Sequence, residues 1–142
     1  MLKLIDSQIS TESEEFEQTL ENFSKLAKDQ NVCRFLQKKL ETNNPALTSR
    51  IFEKVISEFN KLTIDPFGNY LCQKLMESCS KDELGSIIKT LAPELVNICL
   101  NSHGTRAAQK LIEVVSEEEH IQLIVESLSK DVVKLIKVEC LS

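Results

Sequence analysis

The amino-acid sequence predicts an all-α fold: a solenoid of about three stacked helical repeats behind a capping helix. Three observations carry this expectation. A unit of 36 residues recurs, apolar residues inside each unit fall at helical spacing, and turn-forming residues are scarce. Only three Gly and three Pro occur in 142 residues, which argues against a hairpin-rich β fold.

The repeat aligns without a gap. Residues 29–41, 65–77 and 101–113 superimpose so that Gln37, Gln73 and Gln109 fall 36 residues apart. Lys38, Lys74 and Lys110 keep the same step, as do Glu41, Glu77 and Glu113. Further on, Ile51-Phe52, Ile87-Ile88 and Leu123-Ile124 also match. The boundaries follow: an N-terminal segment and capping helix at 1–28, repeats at 29–64, 65–100 and 101–136, and a tail at 137–142 where a fourth repeat would start.

The capping helix is expected at about 12–27, with Thr11 to Glu14 as its start signal. Within each repeat, about 100° per residue places one apolar arc on the first helix. That arc holds Phe35, Leu36, Lys39 and Leu40, then Leu71, Cys72, Leu75 and Met76, then Ala107, Ala108, Leu111 and Ile112. Positions 33, 34, 37, 38 and 41 fall on the opposite, polar arc, and Cys33 goes with them. Asp29, Asp65 and Asn101 stand where an N-cap belongs. A second amphipathic helix follows at roughly 46–58, 81–91 and 117–128; Leu47, Ile51, Phe52, Val55, Ile56 and Phe59 form its apolar face in the first repeat. A capping box from Ser80 to Glu83 recurs as Ser116 to Glu119. Asn44-Pro45 and Ala92-Pro93 mark breaks, and short apolar segments at 62–64, 95–100 and 132–136 lead onward.

Composition narrows the function. Apolar residues make up 42% and charged residues 27%, as in an ordinary folded domain. No apolar run reaches the roughly 18 residues of a membrane span. The five cysteines are odd in number and form no CxxC pair, so neither a metal site nor a disulfide framework is expected, and a reducing, cytoplasmic setting is. His103 and His120 have no nucleophile elbow, P-loop or metal-ligand cluster beside them. We expect no enzyme and no cofactor. The net charge of −5 counts against a broadly basic surface, so any contact with phosphate depends on where charges sit. Segments such as 116–119 (Ser-Glu-Glu-Glu) put negative charge on outer positions.

Stacking turns the polar arc into a ladder: Cys33, Arg34 and Gln37; Asn69, Tyr70 and Gln73; Thr105, Arg106 and Gln109. Side chains four apart lie side by side on a helix, so each Gln and its partner can offer donors and acceptors to the edge of an unpaired base. The intervening Arg or Tyr offers a flat group for stacking. Lys38, Lys74 and Lys110 at the edge of this face suit phosphates. A structural ladder of glutamines bridging adjacent helices is the other reading of the same pattern.

Over residues 20–136, with "FGNYLCQKL" and "NSHGTRAAQKL" as its specific motifs, the sequence resembles the Pumilio (PUF) family. The resemblance implies a right-handed α-solenoid in which one repeat reads one base of single-stranded RNA. It implies uracil for Asn69 and Gln73 with Tyr70 stacking, and adenine for Cys33 and Gln37 with Arg34 stacking. Thr105 departs from the usual Cys or Ser; with Gln109 and Arg106 it is read as a further adenine site. Antiparallel binding then gives 5′-A-U-A-3′. The implied partners are mRNA 3′-UTRs and regulatory proteins on the convex face, the implied role post-transcriptional control. PUF domains usually hold about eight repeats, so the chain looks like the N-terminal portion of one, with self-association expected at its uncapped C-terminal end. An armadillo or HEAT-like protein-interaction solenoid is the alternative.

Overall fold

The computed structural model describes residues 13–141, with side chains through residue 133. The segment before residue 13, Thr11 with its start signal, and Ser142 lie outside the described residues, as do the tail's side chains.

Helices form wherever the apolar arc recurs. The first, α1, runs through residues 13–21 and is followed by a short α2 (Phe23–Leu26). Then come α3 (Gln30–Leu40) and α4 (Pro45–Val55), with a 3-10 turn (Ile56–Glu58) before α5 (Phe59–Thr63). The pattern repeats as α6 (Gly68–Ser78), α7 (Lys81–Leu91), a 3-10 turn (Ala92–Glu94) and α8 (Leu95–Leu100). It closes with α9 (Gly104–Val114) and α10 (Glu118–Leu141). Among the described residues every regular element is helical. The chain is an α-solenoid in which α3, α6 and α9 lie side by side.

Each of those three helices is entered through a side chain that accepts from amides with no carbonyl partner inside the helix. Asp29 is the N-cap of α3 itself, whereas Asp65 and Asn101 stand two residues before the N-caps of α6 and α9, Phe67 and His103. Asp29 Oδ1 accepts from the Asn31 and Val32 amides at 2.8 and 3.1 Å. Asp65 Oδ2 accepts from Phe67 and Gly68, and Asn101 Oδ1 from His103 and Gly104, at 2.8–3.0 Å. The expected residues thus bond the entry amides of each helix, at the N-cap itself for Asp29 and from the preceding turn for Asp65 and Asn101. Between α3 and α4 the chain reverses through Asn43, the one non-glycine with positive φ among the described residues (54°); asparagine tolerates that conformation better than most side chains.

The core runs continuously from the capping helix to α10. Phe16 and Leu20 of α1 and Phe23 of α2 close the first repeat. Leu36, Leu40, Ile51, Val55, Phe59 and Leu62 carry the core forward into Leu71, Leu75, Ile87, Ile88 and Leu91, each at most 2% exposed. A buried side chain of this size contributes about 1.5–3 kcal/mol, so adjacent repeats depend on one another. Gly68 and Gly104 mark two close approaches between them. A Cβ on Gly68 would stand 2.6 Å from Leu62 Cδ2, and one on Gly104 would fall onto the Ile98 carbonyl. The first repeat has Val32 there, and Leu26 is 37% exposed where its equivalents Leu62 and Ile98 are buried.

The structure corrects four details. Cys33 is 1% exposed rather than on a polar surface. Its thiol donates to the Ala27 carbonyl at 3.2 Å, just past the C-terminal end of α2. Ile112, on the expected apolar arc, is 65% exposed because no described element covers that face of α9. The capping box is complete at Ser80 and Glu83 but is not repeated at Ser116. The link after α9 is one residue longer than that after α6, so α10 starts at Glu118 and the Glu117 carbonyl accepts from Ile121. Finally, α10 continues through the expected apolar segment at 132–136. In the earlier repeats the break seats Phe59 and Leu95 against the next helix; no described element follows α10 to demand one.

Candidate nucleic-acid interface

The ladder residues lie on α3, α6 and α9, and burial divides them into two sets. Arg34, Arg106 and Gln109 are exposed, Tyr70 is 47% exposed, and Gln37, Gln73 and Thr105 are half-buried. Cys33 is 1% exposed and Asn69 is fully buried. Burial, with smaller contributions from Asp65 and Asp29, pushes the Cys33 thiol up to about 11, so it stays protonated and donates its hydrogen inward.

Asn69 is a buried polar side chain with every group used. Its Nδ2 donates to the Asp65 and Pro66 carbonyls at 2.8 and 3.1 Å. Its Oδ1 accepts from Gln73 Nε2 at 3.0 Å. The two amides expected to share a base edge are therefore bonded to each other, and Gln73 is the one that reaches the surface. This bond stays within α6; no glutamine-to-glutamine bond between helices occurs among the described residues.

Between α3 and α6 the surface opens into a cavity of about 320 Å³ lined by Gln30, Cys33, Arg34, Gln37, Pro66, Phe67 and Tyr70. Four expected site residues thus meet in one concavity. Gln30, Pro66 and Phe67 were not anticipated, although helical spacing carried the signal: Gln30 precedes Arg34 by four residues and Phe67 precedes Tyr70 by three. Thr105 and Gln109 lie outside this cavity, on α9. Between α6 and α9, Arg106 Nη1 donates to Tyr70 Oη at 3.3 Å.

The lysines differ in their surroundings. Lys38 is exposed. Lys74 and Lys110 both reach Glu77, at 3.6 and 2.7 Å, and Lys110 also meets Glu113 at 3.1 Å. The Lys110 ammonium holds the Glu77 carboxyl below its ordinary value, with Lys74 adding to the effect. No cluster of side chains able to hold a metal occurs among the described residues.

Three segments, 22–56, 59–92 and 94–129, match the Pumilio-family RNA binding repeat. Together they cover well over half the chain. It belongs to the Pumilio family. Each matched segment takes in one helix of the α3, α6, α9 row, so this Pumilio-family surface is built from equivalent helices. Among solved structures, the Puf4 RNA-binding domain bound to an HO endonuclease 3′-UTR sequence is 44% identical with a TM-score of 0.73, covering 78% of this chain and 34% of that one. The RNA-binding domain of yeast Puf5p bound to MFA2 RNA is 40% identical with a TM-score of 0.71, covering 78% and 30%. The Puf3 domain bound to a Cox17 3′-UTR sequence is 28% identical with a TM-score of 0.71, covering 86% and 35%. This Pumilio-family chain spans about a third of the length of those domains. No curated protein matches its sequence.

Proposed function

We propose that this chain binds single-stranded RNA sequence-specifically along the row formed by α3, α6 and α9, one base per repeat. The cavity between α3 and α6 carries the reading. It brings two flat groups, Arg34 and Tyr70, to the same opening as the amide of Gln37. A base entering there stacks between the flat groups and meets the glutamine at its edge. Repeat equivalence assigns the next base to Tyr70, Arg106 and Gln73, and a third to Arg106 and Gln109. The expected preference is 5′-A-U-A-3′, with Cys33, Asn69 and Thr105 shaping the three edges. Lys38 is the lysine best placed for phosphate; Lys74 and Lys110 must first leave Glu77. The Puf4 and Puf3 domains are bound to 3′-UTR sequences, which supports mRNA 3′-UTRs as the target class; the role we propose with it is post-transcriptional control in the cytoplasm.

Stacking at about 1–3 kcal/mol per base gives three repeats millimolar to micromolar binding. The test is fluorescence anisotropy at low salt with a short labelled RNA containing A-U-A, against the same RNA with the central U changed to G. It is repeated with Asn69→Ser plus Gln73→Glu, a pair resembling the family's guanine reader. A preference for U that swaps to G supports base reading. Binding that ignores the base and merely fades with salt leaves only an electrostatic groove.

A second reading concerns the far end of the solenoid. Ile112, Val115, Ile121, Ile124, Val125 and Leu128 line an apolar cavity of about 370 Å³. The equivalents of Ile112, Leu40 and Met76, are buried by the following repeat. The opposite end presents exposed Glu14, Glu15, Glu17 and Glu21 on α1, which does not complement it. We therefore propose that the apolar face pairs with the same face of a second copy. Sedimentation should show a dimer that Ile112→Lys dissociates; a concentration-independent monomer overturns this.

A further inference from the structure

The repeat makes the two intervals of the α3–α6–α9 row equivalent, yet they differ. Between α3 and α6, Arg34 and Tyr70 flank an open cavity of about 320 Å³. Between α6 and α9, the equivalent pair is tied together, because Arg106 Nη1 donates to Tyr70 Oη at 3.3 Å. Tyr70 faces both intervals, and its hydroxyl is committed to the second. Flat groups pack at about 3.5 Å, so a base held between two of them needs about twice that separation. Tips held at 3.3 Å leave no such space.

We infer that the Arg106–Tyr70 hydrogen bond is a latch across the second base slot, the one assigned to the central U. This rests on the base-reading proposal above. The first slot is preformed, whereas the second opens only when Arg106 leaves the hydroxyl and swings onto the incoming base. Tyr70 thus serves one slot as a stacking face and restrains the other through its oxygen. Both partners are exposed, Tyr70 at 47%, so each returns to water when the latch opens and the net cost is modest.

Tyr70→Phe isolates the latch, because it keeps the ring and removes only the hydroxyl. Wild type and variant are compared by anisotropy and stopped-flow association on two RNAs: one containing A-U-A, and the same RNA with an abasic ribose at the central position. The variant should bind the intact RNA about two- to five-fold more tightly, mainly through faster association, as the loss of one solvent-exposed hydrogen bond allows. On the abasic RNA, where no base enters the slot, the two proteins should bind equally. Equal or weaker binding of intact RNA by the variant overturns the latch, as does a gain that persists on the abasic RNA. If neither protein binds the intact RNA, base reading fails and the latch falls with it; a variant that alone loses binding removes only the latch.

Discussion

Asn69→Ala tests how the buried part of the ladder works. The asparagine is fully buried in α6, with its amide donating to two carbonyls and accepting from Gln73. Alanine removes all three bonds in a site that water does not reach. A hydrogen bond is worth about 0.5–1.5 kcal/mol net, and a buried polar group left unpaired costs about 1–3 kcal/mol. The Asp65 carbonyl keeps the Asn69 backbone amide as a partner at 3.1 Å, and Gln73 can turn to water, so the loss falls mainly on the Pro66 carbonyl and the vacated volume. We expect a destabilisation of about 2–4 kcal/mol, measured as a lower midpoint in urea with an unchanged slope. Asn69→Asp should be at least as damaging at neutral pH, since it places a carboxylate against two carbonyl oxygens. In Asn69→Ala that remains folded, Gln73 loses its anchor, so discrimination between U and G should shrink more than overall affinity does. A cost below about 0.5 kcal/mol would refute the reasoning, because a fully used buried amide cannot be that cheap to remove.

Two further outcomes follow from the inter-repeat contacts. Gly104→Ala puts a methyl group onto the Ile98 carbonyl; α8 and α9 must separate, and thermal or urea unfolding should show a loss of about 1–3 kcal/mol, whereas Val32→Ala at the equivalent place in the first repeat relieves no such clash. Glu77→Gln should lower stability by no more than about 1 kcal/mol at neutral pH, as expected for partly exposed ion pairs. The Glu77 carboxyl is held below its ordinary 4.5, so its contribution is present above that pH and vanishes as pH falls through the lowered value. Unfolding midpoints of variant and wild type should therefore converge in acid; a difference that persists there would show that the pairs with Lys110 and Lys74 are not its source.

Much of the fold was legible in the sequence because the repeat supplied three copies of each position. Asp29, Asp65 and Asn101, two carboxylates and an amide, all accept from amides at a helix entrance, and the apolar arcs at Leu36, Leu71 and Leu75 needed only helical spacing. The exceptions are instructive. Cys33 lies on the polar arc, but it is buried with its thiol on the Ala27 carbonyl, and helical spacing does not register what a neighbouring segment covers. Ser116 has the right partner three residues away, but one additional linking residue moves the helix start past it. Ile112 satisfies the pattern and remains exposed, since burial requires a partner as well as a face.

The sequence by itself determined the repeat length, the helical composition, the caps and the candidate base-reading positions, because these depend on local spacing and side-chain chemistry. Only the tertiary structure decided which of those residues reach solvent. It put Arg34, Gln37 and Tyr70 at one cavity, sealed Asn69 behind Gln73, tied Lys110 to Glu77 and bridged Tyr70 to Arg106. The last two contacts join residues 33 and 36 apart, and their distances are fixed by how one repeat seats on the next, which local pattern does not encode.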